Sequence, residues 1–381
     1  MSAKTVVWGA FSCAMVMIGI PNAPAQETIH VAGVYAVTGT AAPSNVASLQ
    51  GARLAVQALN RSGGVLGKKL ELVEFDNQST PIGSKVATDR AIRMGAVAIL
   101  GSAWSSHSLA VARVAQKRAI PMVTNVSTNP DVTRVGDYIF RVCYIDPFQG
   151  GVMARFAYRD LEARSAVVIQ DVSSDYSLGL AAAFQRGLEA QGGRILSVMD
   201  YKHHQESFDD IVLRAREADP EIVFLPGHDE CGAIIRKARE VGVHCAFLGG
   251  DGWEAKSFFD LGGPSLGTGY FCTHWSEEVG TEASREFVAL YQQQKSRSKG
   301  PVLAAAALAY DAVMLIADAL ERAGTTDAEA LQKTLARIEG FKGVTGSLSF
   351  DRFGDPVKEA VIMALSKGGS RYLKRVSPLE E

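Results

Sequence analysis

The residues to weigh first are those that could make or break a bond. Ser105, Ser106 and His107 stand consecutively, and a serine beside an imidazole is the raw material of acyl transfer. Neighbours in sequence rarely reach the geometry that a nucleophile and its base require. A secreted hydrolase using Ser105 and His107 is therefore the lesser reading. Asn60–Lys69 resembles a phosphate loop, but Ser62 stands where the first glycine belongs and Lys69 replaces the required Ser or Thr. His203 and His204 adjoin, and on a strand they would point to opposite faces, so surface placement is expected rather than metal ligation. Cys143, Cys231, Cys245 and Cys272 lack the paired C-x-x-C spacing of a zinc site. The expectation is a protein that is not an enzyme, with no catalytic residue, no metal and no cofactor.

Composition narrows the remaining classes. The 381 residues include 39 Lys and Arg against 41 Asp and Glu, a net charge of −2. No basic stripe is visible, so nucleic acid is not an expected partner. With 47% hydrophobic and 21% charged residues, the chain is neither disordered nor too small to bury a core. Five cysteines in this length cannot form a disulfide scaffold. The short apolar segments at Cys245 and Cys272 allow the two to lie on neighbouring strands, yet isolated thiols are expected. Residues 1–25 read as an export signal: Lys4, an apolar run from Val6 to Ile20, then Pro21-Asn22 and the small-x-small Ala23-Pro24-Ala25. The run is shorter than the roughly 20 residues of a membrane span, so cleavage after Ala25 is expected.

Whatever chemistry the chain carries must be positioned by alternating elements. Short β-branched runs such as Ile29–Tyr35, Leu70–Phe75, Ala96–Leu100, Ile120–Val123, Ala166–Gln170, Glu221–Leu225 and Gly269–Cys272 alternate with longer helical patterns. Among the latter are Val46–Asn60, Ser106–Arg118, Phe148–Leu161, Gly179–Gln191 and Glu230–Val241. Steady strand–helix–strand alternation predicts α/β architecture with parallel sheets covered on both faces. Asp146-Pro147 reads as a capping acid followed by proline at the first helical position. Val302–Ala317 is apolar but carries Tyr310-Asp311 in its middle, which predicts a buried helix rather than a membrane span.

Several segments, in order across nearly all of the chain beyond residue 25, resemble the leucine/isoleucine/valine-binding protein family of periplasmic receptors for ABC importers. They include Gly51–Val56 leading to Asn60–Gly67, Gly101–Ser108, Ile120–Val123, Ser127–Pro130, Asp146–Gly150, Asp175-Tyr176, Ala238–Gly242, Phe247–Trp253 and Thr345-Gly346. The resemblance implies a type I periplasmic binding protein: two doubly wound parallel-sheet lobes joined by a three-crossing hinge, with ligand in the cleft. Lobes of 26–145 with 275–355 and of 146–274 with 356–381 are expected. The implied partners are a small amino acid or related zwitterion and an inner-membrane ABC permease, for a monomeric protein in the periplasm.

By position, the resemblance carries ligand roles to five residues. Ser105 would meet an α-carboxylate near exposed helix N–H groups, and Thr128 would bond the zwitterion through its N–H and hydroxyl. The Val126 carbonyl would accept from the ammonium, Asp251 would oppose it with charge, and Tyr176 would close over the ligand from the second lobe. Each has a simpler use as well, as helix cap, turn residue or packing. Their places just after successive strand ends favour a site, because open α/β sheets bind ligands there. Ser44, Trp104, Asp146, His228 and Trp253 are further candidates, with Asp146 and Gln149 on the hinge side. Ser44 stands where the family often has an aromatic residue, Gly227-His228 where it has an aromatic pair, and Trp104 where a half-cystine is common. These departures leave the ligand's side chain open: branched aliphatic, polar, aromatic, an amide, urea or another small acid. A ligand sensor of the same fold is the alternative to a transport role.

Overall fold

The computed structural model describes residues 28–203, 205–294 and 300–378, so the export signal expected over residues 1–25 lies outside the described residues. Strands that read as unbroken apolar runs occupy sheet interiors. β1 (Thr28–Tyr35) and β3 (Ala98–Gly101) are buried almost throughout, whereas β2 (Lys69–Asp76) alternates buried and exposed residues at a sheet edge. With β4 (Met122–Thr124) and β5 (Ile139–Arg141) they form a fully parallel sheet in the order β2-β1-β3-β4-β5. The intervening helices are α1 (Ala42–Arg61), α2 (Pro81–Arg93) and α3 (Ser105–Lys117).

A second sheet repeats the scheme. β6 (Ser165–Asp171), β7 (Arg194–Tyr201), β8 (Ile222–Phe224), β9 (Ala246–Gly249) and β10 (Gly269–Thr273) run parallel. Two late strands, β13 (Ala360–Ser366) and β14 (Gly369–Val376), add antiparallel to give the order β14-β13-β10-β9-β8-β6-β7. Its helices are α4 (Asp146–Arg155), α5 (Asp175–Ala190), α6 (Asp209–Glu217), α7 (Glu230–Glu240) and α8 (Lys256–Gly262). β13 and β14 were not needed for a parallel sheet. Antiparallel strands require only a short turn, which Lys367-Gly368 supplies, with Gly368 at φ 77°.

The remaining elements return to the first sheet. α9 (Glu282–Gln294), α10 (Ala304–Ala323), α11 (Ala328–Leu335) and the hairpin β11 (Phe341–Gly343)–β12 (Gly346–Leu348) follow β10. Leu308, Ala312, Val313 and Ile316 of α10 share a core with Val31, Leu100 and Ala52, whereas Ala360 and Ile362 of β13 pack with Val168 and Phe224. The chain thus passes between the two lobes three times, after β5, after β10 and before β13. Arg141 and Asp355 fasten two of these passages together: their side chains, 0% and 5% exposed, meet at 2.6 Å. The Asp311 carboxylate inside α10 accepts from Val344 N–H, Thr345 N–H and the Thr345 hydroxyl at 2.6–2.9 Å. Those bonds satisfy a buried acid in an otherwise apolar helix. No helix among the described residues is long and apolar enough to cross a membrane.

One cap differs from expectation. The residue capping α4 is Ile145, and Asp146 is the first helical residue, its side chain buried inward rather than closing the helix end. The four described cysteines are free thiols, three of them buried. Cys245 and Cys272 do lie at adjacent strands, but the register pairs Gly269 with Phe247 and so sets the two thiols far apart.

Candidate ligand-binding site

Between the facing strand ends of the two lobes lies a cavity of about 60 Å³. The first lobe contributes small polar groups. Ser105 opens α3 directly after β3, and Trp104 holds the extended backbone that precedes the helix. The first N–H groups of a helix have no partner within it, so this end favours an anion. The Ser105 hydroxyl accepts from Asn129 N–H at 3.3 Å and lines the cavity. Val126, just beyond β4, lines it too. Its loop is held because Asn125 accepts from the Tyr35 hydroxyl at 2.9 Å and donates to Ser48 at 2.8 Å.

The second lobe contributes charge. Asp251 follows β9 and its carboxylate lines the cavity. Its Oδ2 lies 3.0 Å from His274 Nε2, its backbone N–H donates to Gln149 Oε1 at 3.0 Å, and its Oδ1 is buried without a hydrogen-bond partner. Burial lowers the pKa of His274 against the pull of Asp251. A neutral imidazole leaves the Asp251 charge uncompensated, which suits a cationic ligand group. The ring of Tyr144 packs tilted against His274 at 3.8 Å, and its hydroxyl donates to Gln149 at 3.1 Å, so the residues that hold Asp251 are themselves held. Tyr176, at the start of α5, accepts from Gly252 N–H at 3.2 Å. Burial first, and then the Asp251 charge, raise its hydroxyl well above the ordinary range.

The glycines flanking Asp251 have a steric cause. A Cβ at Gly250 would stand 2.5 Å from the Tyr176 hydroxyl, and one at Gly252 would stand 2.3 Å from Gly227 O. Only a bare backbone brings Asp251 so close to Tyr176. Asp251–Glu254 forms a single 3-10 turn, in which residues three apart eclipse. Accordingly Glu254 also lines the cavity. Its Oε1 accepts from the Thr273 hydroxyl at 2.8 Å and, across the cleft, from the N–H of Ala304 at the start of α10 at 3.2 Å. Burial pushes its pKa up to about 7.

Trp104 spans the two lobes. Its indole N–H donates to Ser44 Oγ at 3.1 Å, and its ring stacks on His107 at 5.4 Å within the first lobe. From the second lobe His228 approaches it at 4.2 Å and His203 meets it edge-on at 5.4 Å. Tyr176 packs on the other side of His228 at 5.0 Å. Asn129 Nδ2 donating to Asp175 O at 2.7 Å is a further cross-lobe bond.

Ser44, Trp104, Ser105, Val126, Tyr176, His228 and Asp251 thus surround one cavity, and three expected residues do not. Trp253 is fully buried in the second lobe, with its N–H on Leu225 O at 3.1 Å and its ring stacked on Phe258. Two residues past Asp251, the 3-10 turn rotates it away from the cleft and into the core. Thr128 is buried behind the cavity wall, where its carbonyl accepts from Asp146 N–H at 2.9 Å. Asp146 is buried beside it, not at the cavity. Burial and the Asp251 charge push its pKa up to about 8 against the Thr128 hydroxyl and Arg141. His203, expected on the surface, is half-buried, and its Nδ1 lies 3.1 Å from Glu230 Oε2. A G-x-S-x-G string at Gly263–Gly267 falls in a 3-10 turn after α8, not in the strand-to-helix elbow of a hydrolase. His274, Glu254 and Ala305 escaped the sequence reading, although His274 follows the end of β10 as Ser105 follows that of β3.

Comparison with known proteins bears on the family and the fold. The family model for periplasmic binding proteins matches residues 28–370. A leucine-, isoleucine-, valine-, threonine- and alanine-binding protein of Pseudomonas aeruginosa is 26% identical over 339 residues, 87% of this chain and 88% of that protein. Among solved structures, the leucine-binding protein LivK of Thermotoga maritima superposes with a TM-score of 0.88 at 32% identity, covering 93% of this chain and all of the other. LivJ of Streptococcus pneumoniae, a branched-chain amino acid transporter substrate-binding protein solved with isoleucine, gives 0.86 at 28%, covering 92% of this chain and all of its own. By the span of that match and the two-lobed fold that carries it, this chain belongs to the periplasmic binding protein family.

Proposed function

We propose that this protein is the extracytoplasmic receptor of an ABC importer, holding a small zwitterionic amino acid of the branched-chain type between its lobes. The observation that carries the reading is the opposed polarity of the cavity. On one wall Ser105 and the start of α3 suit a carboxylate; on the other, the unpartnered Oδ1 of Asp251 suits an ammonium. The relatives at 26–32% identity are named for leucine, for leucine, isoleucine, valine, threonine and alanine, or for branched-chain amino acids. An amide, urea or aromatic-acid ligand is not favoured by them.

In this reading the chain is exported with removal of residues 1–25 and acts as a monomer. Ligand first meets Ser105 and Val126 on the lobe of 26–145 with 275–355. The lobe of 146–274 with 356–381 then closes by bending at the three crossings. Closure is driven only by ligand contacts that exist in the closed form, namely those of Asp251 and Tyr176. A membrane permease receives the closed receptor. Protein freed of bound ligand by unfolding and refolding should bind L-leucine or L-isoleucine one-to-one in titration calorimetry. A micromolar dissociation constant corresponds to about 8 kcal/mol. No heat with any proteinogenic amino acid, from protein whose circular dichroism shows it refolded, would overturn the reading.

A further inference from the structure

We propose that Asp171, His203 and Glu230 form a binding site for a divalent transition metal of the zinc class, on the second lobe at the lip of the cleft. One ligand atom from each, an imidazole nitrogen and two carboxylate oxygens, lies within 4.8 Å of the others. Asp171 ends β6, His203 stands two residues past β7, and Glu230 opens α7 after β8. Those three strands are neighbours, in the order β8-β6-β7, so the sheet itself brings the groups together.

Both carboxylates are oriented from one side. Asp171 Oδ1 accepts from the N–H and the hydroxyl of Ser173 at 2.9 and 2.5 Å. Glu230 Oε1 accepts from the Tyr201 hydroxyl at 2.6 Å and from His228 N–H at 3.0 Å. Such supporting bonds fix the rotamer of a metal-ligating carboxylate. They leave Glu230 Oε2 buried with no aligned hydrogen-bond donor, although the residue is only 8% exposed and His203 Nδ1 lies 3.1 Å away. That oxygen is paired with His203, and a metal held between the two side chains would replace the direct pair while keeping the buried charge met. Ligands about 2.0–2.2 Å from a tetrahedral metal stand roughly 3.4 Å from each other, so small side-chain shifts close the site.

The donor set selects the metal. Calcium and magnesium prefer all-oxygen shells, and soft thiolate sites suit copper(I), whereas one imidazole with two carboxylates suits zinc or its neighbours in the first row. Three protein ligands leave a position for water. The site touches the cleft through His203, whose ring meets Trp104 of the opposite lobe at 5.4 Å. A metal on His203 would therefore hold in place one of the contacts that the lobes make on closing. This proposal does not depend on the amino-acid reading.

The test uses purified chain treated with a chelator and titrated with zinc chloride in calorimetry, with cobalt(II) absorption in the visible as a second signal. One ion per chain is expected, with affinity reduced at least tenfold in His203→Ala and in Asp171→Asn. Glu230 also holds Tyr201, so Glu230→Gln is interpreted only with an unchanged melting curve; His203→Ala carries the decision. Absence of saturable zinc binding, or binding undiminished by His203→Ala, overturns the site.

Discussion

The two walls of the cavity are built by different means. The first lobe faces it with small groups, Ser44, Ala103, Ser105, Val126 and Ala305, and with the start of a helix. The second lobe faces it with Asp251, Glu254, His274, His228 and Tyr176. The first wall offers backbone dipoles and hydroxyls that need no neutralising partner and can meet a ligand in the open protein. The second offers two carboxylates, Glu254 with its pKa raised by burial and Asp251 with an oxygen buried without a hydrogen-bond partner, so its charge is best used when a cation is already present. A division of this kind suits a receptor in which one lobe recognises and the other commits. Trp104 is the exception, a large ring from the first lobe set among the second lobe's histidines.

Removing the charge of the second wall should break this comparison most severely. Asp251→Ala is expected to weaken amino-acid binding by about 100-fold, since truncating one side of a buried charged contact costs about 3 kcal/mol. A loss below threefold in calorimetry would show that Asp251 does not meet the ammonium. On the first wall, Ser105→Ala should cost about tenfold, the scale of one hydrogen bond to a charged group. Retained affinity there would assign carboxylate recognition to the helix N–H groups alone. Trp104→Ala removes aromatic contacts worth about 1 kcal/mol across the cleft, for a loss of roughly fivefold. Equal affinity in that variant would mean the ring packs without aiding closure.

A separate effect concerns stability near the hinge rather than binding. The Asp146 pKa is pushed up to about 8 in the fold, from 3.8. A raised carboxyl pKa means that the fold prefers the neutral form. The stability it confers is complete below pH 3.8 and is lost as the pH rises towards 8. Asp146→Asn abolishes that titration, so its melting temperature should gain on the wild type between pH 5 and 8.5. Parallel melting curves across that range would show that Asp146 ionises as freely in the fold as outside it.

The sequence told where chemistry would gather more reliably than which side chains would reach it. Ser105, Val126, Tyr176, His228 and Asp251 each follow a strand end or open a helix behind one, and all border the cavity. Trp253 and Glu254 are adjacent, yet one enters the core and the other the cleft. Strand and helix periods do not apply to a 3-10 turn of four residues, whose boundaries cannot be read from composition. Thr128 and Asp146 stand off the cavity for another reason. They bond to each other through the backbone and seal the first crossing, a pairing 18 residues apart that no local pattern encodes. His203 left the surface because β7 ends at Tyr201, and the bend that follows turns its ring towards Trp104.

By itself the sequence determined the alternation of buried strands and covering helices, because apolar runs of strand length cannot be buried any other way between helical patterns. It also determined that reactive groups would stand at strand ends, where backbone polarity is left unsatisfied. Composition and periodicity did not assign α10 to the first lobe or β13 and β14 to the second, since both choices bury comparable apolar faces; that assignment came only with the family resemblance. The tertiary structure alone set Glu254 against the start of α10 and Asp251 against His274. Those contacts join segments tens of residues apart, and their geometry exists only once two separately folded lobes face each other.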